Sequence, residues 1–472
     1  MPSSQTNNHE PPSSDALHVE TRSIDYIPLN ERRGSAKDLF SLWFGANAMA
    51  ITLVTGGIAS TTGLGLFWSC VAIAIGTLVG TVFMAYHSAQ GPSLGLPQMI
   101  QSRAQFGFFG ANIPMVIVVA MYLGFYAGGA VVGSQALQIL LGLSKGISVT
   151  LATAFSIILA IFGYRMMHVV ARVLTPIYIL AFAGLSLALV LNWGSFPSSH
   201  AIPAGSFQLT SFMMVLSIVA AYYISYGPYV ADYSRYLPPS TKTSHAFWYT
   251  YAGTCASALW IMVLGAAIQS AFSSIDTIAA TSSVALSFGP AFQTVILIVL
   301  VLGLVNIGAL NIYGALMSSL TITTTIFRTS SPSTFTRNTF IICLGGFGGA
   351  IAAIASTDFV LAYENFIFFL ITFLVPWSAV NLVDYYCIRK GSYDPASLFR
   401  PDSQYGSFNK IGLLSYAIGC VCQIPFINQM FYTGVIAEML GFDVAWIVGL
   451  IVPGLIYYVW AQRFKRASPL MA

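Results

Sequence analysis

Apolar blocks of about 20 residues recur from Leu39 to Trp460, and each is long enough to cross a bilayer as a helix. Only 7% of the 472 residues are charged, whereas a soluble domain of this length needs far more charge on its surface. Hydropathy predicts about twelve spans, centred near residues 48, 75, 125, 156, 182, 221, 259, 304, 348, 373, 420 and 453. The sequence therefore predicts an all-α polytopic membrane protein.

The cationic loop residues test this number of spans. With twelve spans, the loop arginines and lysines fall on the side of the N-terminus, and only Lys145 falls opposite. By the positive-inside rule, both termini are predicted to lie in the cytoplasm, with the protein in the plasma membrane. The net charge of +4 follows from this topology and requires no nucleic-acid partner.

Two of the predicted spans contain helix-breaking residues inside an apolar run. Span 1 carries Thr55-Gly56-Gly57, and span 6 carries Ser225-Tyr226-Gly227-Pro228. Breaks five spans apart indicate two five-span halves of inverted topology, and the unwound backbone at Thr55 and Gly56 would then face a ligand. Simple kinks are the competing interpretation.

Five segments follow from this pattern. The N-terminal segment is polar and is predicted to be a disordered cytoplasmic tail, and the last residues form a second short tail. The predicted boundaries are 1–37 for the first tail, 38–192 for the first repeat (spans 1–5), 208–388 for the second repeat (spans 6–10), 411–462 for two accessory C-terminal helices and 463–472 for the second tail.

Aromatic side chains lie near the predicted cavity. Flat rings on two facing helices can hold a planar ligand between them, although aromatics in membrane helices also serve as packing residues and interfacial anchors. The candidates are Tyr122, Phe125 and Tyr126 in span 3, and Tyr222, Tyr223, Ser225 and Tyr226 in span 6.

Span 8 adds two carboxamides, Asn306 and Asn311. Five residues correspond to a separation of about 140° around a helix, so the two side chains do not share a narrow face. A carboxamide offers both donors and acceptors, which suits the edge of an amide-containing heterocycle. One of the two could instead join helices through an interhelical hydrogen bond.

Ionisable residues are scarce inside the predicted membrane region. Asp232 and Arg235 lie where span 6 reaches the cytoplasm, and Glu364 begins span 10 near the outside. Interfacial anchoring explains each of them. Asp232 and Arg235 are also candidates for an inner gate, and Asp232 and Glu364 are candidates for proton coupling. Cys420 and Cys422 lack a matching His or Cys cluster, so no metal site is predicted.

Three long motifs resemble one known family. They are "IDYIPLNERRGSAKDLFSLWFGAN" at 24–47, "GPSLGLPQMIQSRAQFGFFGANIP" at 91–114 and "PYVADYSRYLP" at 228–238. Together they resemble the purine-cytosine permease branch of the nucleobase:cation symporter family 1, from about Glu20 to the C-terminus. The resemblance implies a five-plus-five inverted-repeat fold with two extra C-terminal helices, and import of nucleobases or related heterocycles by alternating access.

The resemblance also implies roles for particular residues. One aromatic from span 3 and one from span 6 sandwich the base in this family, which points to Phe125 and Tyr223, with Ser225 as a polar neighbour. Phe125 departs from the usual Trp, so Tyr122 and Tyr126 remain alternatives. The span 8 asparagine pair of the cytosine permeases corresponds to Asn306 and Asn311.

The coupling ion is predicted from a second departure. Sodium-coupled members place adjacent hydroxyl residues on span 8, where this chain has Ala309 and Leu310, and a hard cation requires oxygen ligands. H⁺ is therefore favoured over Na⁺, although Ser318 and Ser319 lie lower on the same helix. No other cofactor is predicted, and the expected partners are a nucleobase, the coupling cation and lipid.

The expected function is secondary active import of cytosine or of purines such as adenine and hypoxanthine. Allantoin, hydantoin, uracil or vitamin transport by the same fold is the first alternative, and a non-transporting nutrient sensor or a channel is the second. An intramembrane enzyme is disfavoured, because the one nucleophile-elbow match, "GLSKG" at 142–146, lies in a loop with no strand before it.

Overall fold

A computed structural model describes residues 25–197, 205–328, 333–355, 358–429 and 432–467. The described part of the first half is helical, and its bounds are α1 (Ala36–Asn47), α2 (Ala50–Thr61), α3 (Leu66–Ser88), α4 (Gly91–Leu94), α5 (Gln98–Gln101), α6 (Arg103–Phe106), α7 (Asn112–Leu141), α8 (Lys145–Phe162), α9 (Tyr164–Asn192), α10 (Leu209–Ile224) and α11 (Gly227–Ser234).

The second half continues the helical pattern and adds one short antiparallel strand pair, in which Asn428 lies opposite Thr433. Its elements are α12 (Thr243–Ala271), α13 (Thr277–Leu286), α14 (Pro290–Phe327), α15 (Thr334–Ala355), α16 (Phe359–Leu382), α17 (Lys410–Cys422), β1 (Asn428–Gln429), β2 (Tyr432–Thr433), α18 (Val435–Leu440) and α19 (Ala445–Ala467).

The described ranges contain ten helical stretches long and apolar enough to cross a membrane, and the bent pair α1 and α2 makes eleven. Large apolar side chains such as Leu180 and Ile354 are more than 70% exposed, as expected for surfaces that face lipid. This confirms the predicted α-helical polytopic membrane protein, to which the structure adds one short strand pair. The predicted span near residue 420 is shorter than expected, because α17 has only 13 residues before the chain turns at Ile424.

The predicted break in span 1 exists, but it lies about two helical turns earlier than Thr55 and Gly56. The chain bends by 60° between α1 and α2. Ala48 and Met49 leave the helical region, and Met49 is extended at φ −144° and ψ 162°. Thr55 and Gly56 lie inside regular α2. The unwound backbone is therefore that of Ala48 and Met49.

Close packing of helices explains the glycines of α2. A Cβ atom on Gly56 would lie 2.0 Å from the carbonyl oxygen of Met262, and one on Gly265 would lie 1.9 Å from that of Leu53. The backbones of α2 and α12 therefore touch, which is the usual function of small residues at membrane helix interfaces. The glycines near Gly56 predicted a helix break, whereas in the structure they allow α2 to pack closely against α12.

The interruption in span 6 lies where the sequence predicted it. Residues Leu209 to Ser234 cross as one span, but α10 ends at Ile224 and α11 starts at Gly227. Pro228 occupies the first turn of α11, where its missing N–H costs no hydrogen bond. Ser225 and Tyr226 form the turn between the two helices.

The N-terminal tail is ordered for part of its predicted length. Its first 24 residues lie outside the described ranges, but the prediction of disorder is wrong for residues 25–35. Ile27 is fully buried, and the guanidinium of Arg32 donates to the carbonyl oxygens of Ile27 (2.9 Å) and Pro92 (2.8 Å). Ser35 then caps α1, with Asp38 completing a capping box. These contacts supply the burial that composition alone did not indicate.

Candidate functional site

Two neighbouring cavities lie where α7, α11 and α14 meet. The inner cavity has a volume of about 120 Å³ and borders α5 and the end of α11. The central cavity, of about 20 Å³, borders the α1–α2 break at Met49 and Ile51. Both are lined by Tyr229, Ile307 and Asn311, so they are consecutive compartments of one path.

A row of tyrosines from span 6 lines this path. Tyr222, Tyr226 and Tyr229 border the central cavity, and Tyr229 and Tyr233 border the inner cavity. The ring centroids of Tyr222 and Tyr226 are 5.4 Å apart, and those of Tyr226 and Tyr229 are 5.2 Å apart. Residues spaced by three or four lie on one helical face, and the row keeps this register across the turn at Ser225.

The central cavity is nearly closed by direct contact between its rings. Phe125 meets Tyr222 edge to face at a centroid distance of 5.8 Å, and it meets Phe366 in the same manner at 5.1 Å. The Tyr226 hydroxyl donates to the Tyr222 hydroxyl (3.1 Å), which also lies 3.2 Å from Oγ1 of Thr52. A volume of 20 Å³ holds about one water molecule. A planar ligand between Phe125 and Tyr222 therefore requires these rings to separate.

The asparagine pair of α14 is divided between two environments. Asn311 borders both cavities, and its carboxamide makes no hydrogen bond with the residues that the structure describes. Asn306 is buried, borders neither cavity, and its Oδ1 has no partner in the described ranges. The predicted angular separation is therefore realised, and Asn311 is the carboxamide that faces the path.

Tyr223 and Ser225 border neither of these two cavities, so their roles as substrate contacts stay predictions. The Tyr223 ring turns toward α12, with its hydroxyl 3.8 Å from Sδ of Met262. The Ser225 hydroxyl donates to the carbonyl oxygen of Tyr222 (2.7 Å), as expected of a residue at a helix end. Adjacent residues differ by about 100° around a helix, so Tyr222 faces the path while Tyr223 faces the neighbouring helix.

Tyr122 and Tyr126, the other span 3 candidates, are separated in the same way. Tyr122 borders the inner cavity, and its ring centroid lies 5.6 Å from that of Tyr229. Tyr126 packs away from both cavities, against the Cα positions of Gly348 and Gly308. The small residues on α14 and α15 make room for its ring.

Thr55 and Gly56 also lie beside the path rather than on it. Oγ1 of Thr55 donates to the carbonyl oxygen of Ile51 (2.7 Å) and accepts from the Tyr363 hydroxyl (3.1 Å). This contact joins α2 to α16 just behind Ile51, which borders the central cavity. Gly56 contacts α12, as described above.

Asp232 and Arg235 border the inner cavity, at the end predicted to face the cytoplasm. Oδ1 of Asp232 accepts from the backbone N–H of Gln98 (2.8 Å), and Arg235 donates to the backbone carbonyl oxygen of Asp25 (3.3 Å) and lies over the ring of Tyr236. These contacts join the end of α11 to α5 and to the N-terminal segment. Glu364 lies in the second turn of α16 and borders neither cavity.

These features define a class of protein. A polytopic helical protein with a broken first span and an interrupted sixth span, and with an aromatic, carboxamide-bearing cavity between them, has the organisation of a secondary transporter. The arrangement offers rings for stacking, a free carboxamide for hydrogen bonding and charged residues at one mouth.

Known proteins place the chain more narrowly. Residues 26–449 match the family model described as permease for cytosine/purines, uracil, thiamine, allantoin. The chain is 42% identical over 458 residues to YxlA of Bacillus subtilis, named as a candidate purine-cytosine permease, with 96% of this chain and 98% of the relative covered. It is 26% identical over 393 residues to the purine-cytosine permease fcyB of Emericella nidulans, with 79% of this chain and 75% of the relative covered.

Solved structures agree on the fold. The inward-facing conformation of Mhp1 superposes with a TM-score of 0.76 at 15% identity, covering 97% of this chain and 96% of that one. Mhp1 in a closed conformation with bromovinylhydantoin bound gives 0.75 at 16% identity, covering 96% and 97%. The chain thus belongs to the cytosine/purine permease family, which confirms the resemblance, and it is a permease rather than an enzyme.

Proposed function

We propose that this permease imports nucleobases, cytosine or purines, by cation symport with alternating access across the plasma membrane, with both termini in the cytoplasm. The single observation that carries the proposal is the path formed by Phe125, the tyrosine row and the free carboxamide of Asn311. Rings stack on a planar heterocycle, and a carboxamide pairs with its amide edge. The relatives named as purine-cytosine permeases support this substrate class.

The two cavities suggest how a base passes through. A cavity of about 150 Å³ binds one benzene ring, so the inner cavity of about 120 Å³ approaches the size of a single six-membered ring, whereas the central one does not. A base would occupy the central compartment when Phe125 and Tyr222 separate, and it would leave through the inner compartment as they close. Asn311 borders both compartments and can hold the base throughout this passage.

Proton coupling is the proposed energy source. Ala309 is fully buried and Leu310 borders the inner cavity, and neither side chain offers an oxygen to a sodium ion. Asp232 remains a candidate coupling group, because its carboxylate borders the inner cavity and is joined to α5.

Related heterocycles remain the second candidate, and one observation favours them. Mhp1, whose fold this chain shares, is described with a bound hydantoin derivative. A hydantoin presents the same planar ring and amide edge that Asn311 can recognise. Substrate competition therefore belongs in the test.

The proposal is tested by uptake of radiolabelled cytosine into cells that lack their own nucleobase carriers. Unlabelled adenine, hypoxanthine, uracil, allantoin and hydantoin are added as competitors, in sodium-free buffer with and without a protonophore. We expect saturable uptake that cytosine or purines inhibit, that needs no sodium and that collapses with the proton gradient. Uptake that requires sodium would refute the proton assignment, and competition by allantoin or hydantoin alone would replace the substrate class.

A further inference from the structure

His87, near the end of α3, is fully buried and lies next to the interruption of span 6. A Cβ atom on Gly227 would meet its ring at 3.0 Å, and the ring stacks on Trp377 of α16 at a centroid distance of 4.7 Å. Its Nε2 lies 2.8 Å from Oγ of Ser378, and its Nδ1 lies 3.2 Å from Nε2 of Gln98. None of the residues discussed as substrate contacts is among these partners.

A chain of buried side-chain amides leads from Gln98 to a carboxylate. Nε2 of Gln98 donates to Oε1 of Gln90 (3.2 Å), Nε2 of Gln90 donates to Oδ1 of Asn381 (2.9 Å), and Nδ2 of Asn381 donates to Oε1 of Gln105 (3.1 Å). Nε2 of Gln105 then donates to Oδ2 of Asp384 (3.1 Å). Every bond in this amide chain runs in one direction, from Gln98 toward Asp384.

Asp384 fixes that direction. Its carboxylate also accepts from Tyr393 (2.5 Å), Tyr457 (2.8 Å) and Arg389 (3.3 Å), so it presents only acceptors to Gln105. Each amide must then offer its oxygen to the amide before it. At the other end, Gln98 is left with an amide N–H that points at Nδ1 of His87.

The amide chain therefore determines the state of the imidazole. Nδ1 faces a donor and must be an acceptor, so the ring is neutral, with its proton on Nε2, where it is donated to Ser378. A proton added to Nδ1 would place two donors face to face. Gln98 would have to turn its Oε1, which has no partner within the described ranges, toward the ring. Gln90 would then lose its donor, so an intact amide chain and a protonated His87 exclude each other.

A change in the Gln98 side chain reaches the wall of the inner cavity, because Gln98 belongs to the segment that lines it. The backbone N–H of Gln98 donates to Asp232 (2.8 Å), and the neighbours Pro97, Met99 and Ile100 border the cavity. Turning the Gln98 side chain thus disturbs the segment that carries the cavity wall and its link to α11. The proton on His87 and the shape of the exit path are coupled through one residue.

The charged groups around His87 are few and indirect. On the side of α5 and α11, the backbone N–H of Gln98 joins this residue to Asp232, and Arg235 lies beyond Asp232. Just beyond the end of α16, Asp384 is joined to Gln98 through the amide chain, and Arg389 lies behind it. In the described part of the chain, no hydrogen bond or ion pair joins His87 to a charged side chain, so an added proton would not be neutralised locally.

We propose that Nδ1 of His87 is the binding site of the coupling proton, and that its occupation breaks the Gln98 to Asp384 amide chain and so loosens the inner wall of the path. The proposal rests on the proton coupling proposed above. It differs from the carboxylate candidates Asp232 and Glu364, because the proton binds at a neutral, buried ring.

The test uses purified protein in sodium-free proteoliposomes that contain a pH-sensitive dye. External cytosine is added, and internal acidification is recorded together with exchange of labelled for unlabelled cytosine. His87→Gln is compared with His245→Gln, which alters an exposed histidine in the first turn of α12. We expect the wild type and His245→Gln to acidify the lumen, and His87→Gln to lose acidification and net accumulation while it keeps cytosine exchange.

Acidification by His87→Gln equal to that of the wild type would overturn the assignment of His87 and leave proton coupling intact. A wild type that exchanges cytosine without acidification would overturn both the coupling and the assignment, while base transport itself would stand. The two failures are therefore distinguishable.

Gln98→Met provides a second test that does not depend on the folding of His87→Gln. It removes the donor that faces Nδ1 and keeps the backbone bond to Asp232. Because protonation of His87 then no longer competes with an amide N–H, we expect the pH of half-maximal cytosine uptake to rise. An unchanged midpoint would contradict the proposal.

Discussion

Replacement of Asn311 by alanine tests the path at its shared residue. The carboxamide faces both cavities and has no partner in the described ranges, so its hydrogen bonds are available to a substrate. A hydrogen bond between neutral groups contributes about 0.5–1.5 kcal/mol net, and two such bonds to a base contribute about 1–3 kcal/mol. At about 1.4 kcal/mol per tenfold change, the loss corresponds to a KM about 5-fold to 140-fold higher.

The assay is the concentration dependence of cytosine uptake, with surface abundance measured by an epitope tag on both variants. Asn306→Ala is the matched control, because it removes the same group from the same helix at a position that borders neither cavity. We expect the KM of this control to equal that of the wild type. An equal rise in KM for the two variants, or no rise for Asn311→Ala, would refute the reasoning from the cavity geometry.

Three further predictions concern packing, anchoring and pH. Gly56→Ala places a methyl group against the backbone of α12. It is expected to lower the free energy of unfolding by about 1–3 kcal/mol and so to lower the Tm in detergent. Gly146→Ala is the control, because nothing lies within 4 Å of its added atom, and its Tm should equal that of the wild type. Tyr457→Phe removes a donor to the Asp384 carboxylate and should cost about 1.5–3 kcal/mol in the same assay; the adjacent, 42% exposed Tyr458 provides the control Tyr458→Phe, and equal Tm values would contradict the role of the hydroxyl. Burial raises the pKa of Asp443 to about 6. The protonated carboxyl therefore stabilises the fold below about pH 4, and this contribution is lost as the pH rises through 6. In Asp443→Asn the Tm should depend less on pH between about 4 and 6, and a pH dependence equal to that of the wild type would show that Asp443 does not titrate there.

Hydropathy and loop charge predicted the membrane class, and the structure confirms it, because the bilayer leaves few ways to satisfy a buried backbone. The position of the first break could not be derived in the same way. Glycines near Gly56 signal either unwinding or close packing, and only the position of Met262 on α12 decides for packing. Ala48 and Met49, which do unwind, have no helix-breaking side chain.

The aromatic residues of the path have a regular spacing in the sequence. Tyr222, Tyr226, Tyr229 and Tyr233 follow a spacing of four, three and four, which is the period of one helical face. Family resemblance pointed instead to Tyr223, which the structure turns toward α12. Asn311 was predicted, and its position on the path agrees with its angular separation from Asn306.

The amide chain could not be predicted from the sequence. Its members come from α5, α6, α16 and the residues just after α3 and α16. His87 and Ser378, which meet at one end of it, are separated by 291 residues in the sequence. A lone histidine among apolar residues offers no periodic signal, and glutamines near a predicted interface usually face water. Only the folded arrangement shows that these groups satisfy one another in one direction.

The central claim is that a proton gradient drives a nucleobase through the path. The most direct measurement is accumulation of labelled cytosine in proteoliposomes of the purified protein, with an imposed inward proton gradient and no sodium on either side. The account predicts accumulation above the external concentration that disappears when the gradient is collapsed and that is reduced at limiting cytosine in Asn311→Ala. Equilibration without accumulation, or accumulation only with a sodium gradient, would contradict it.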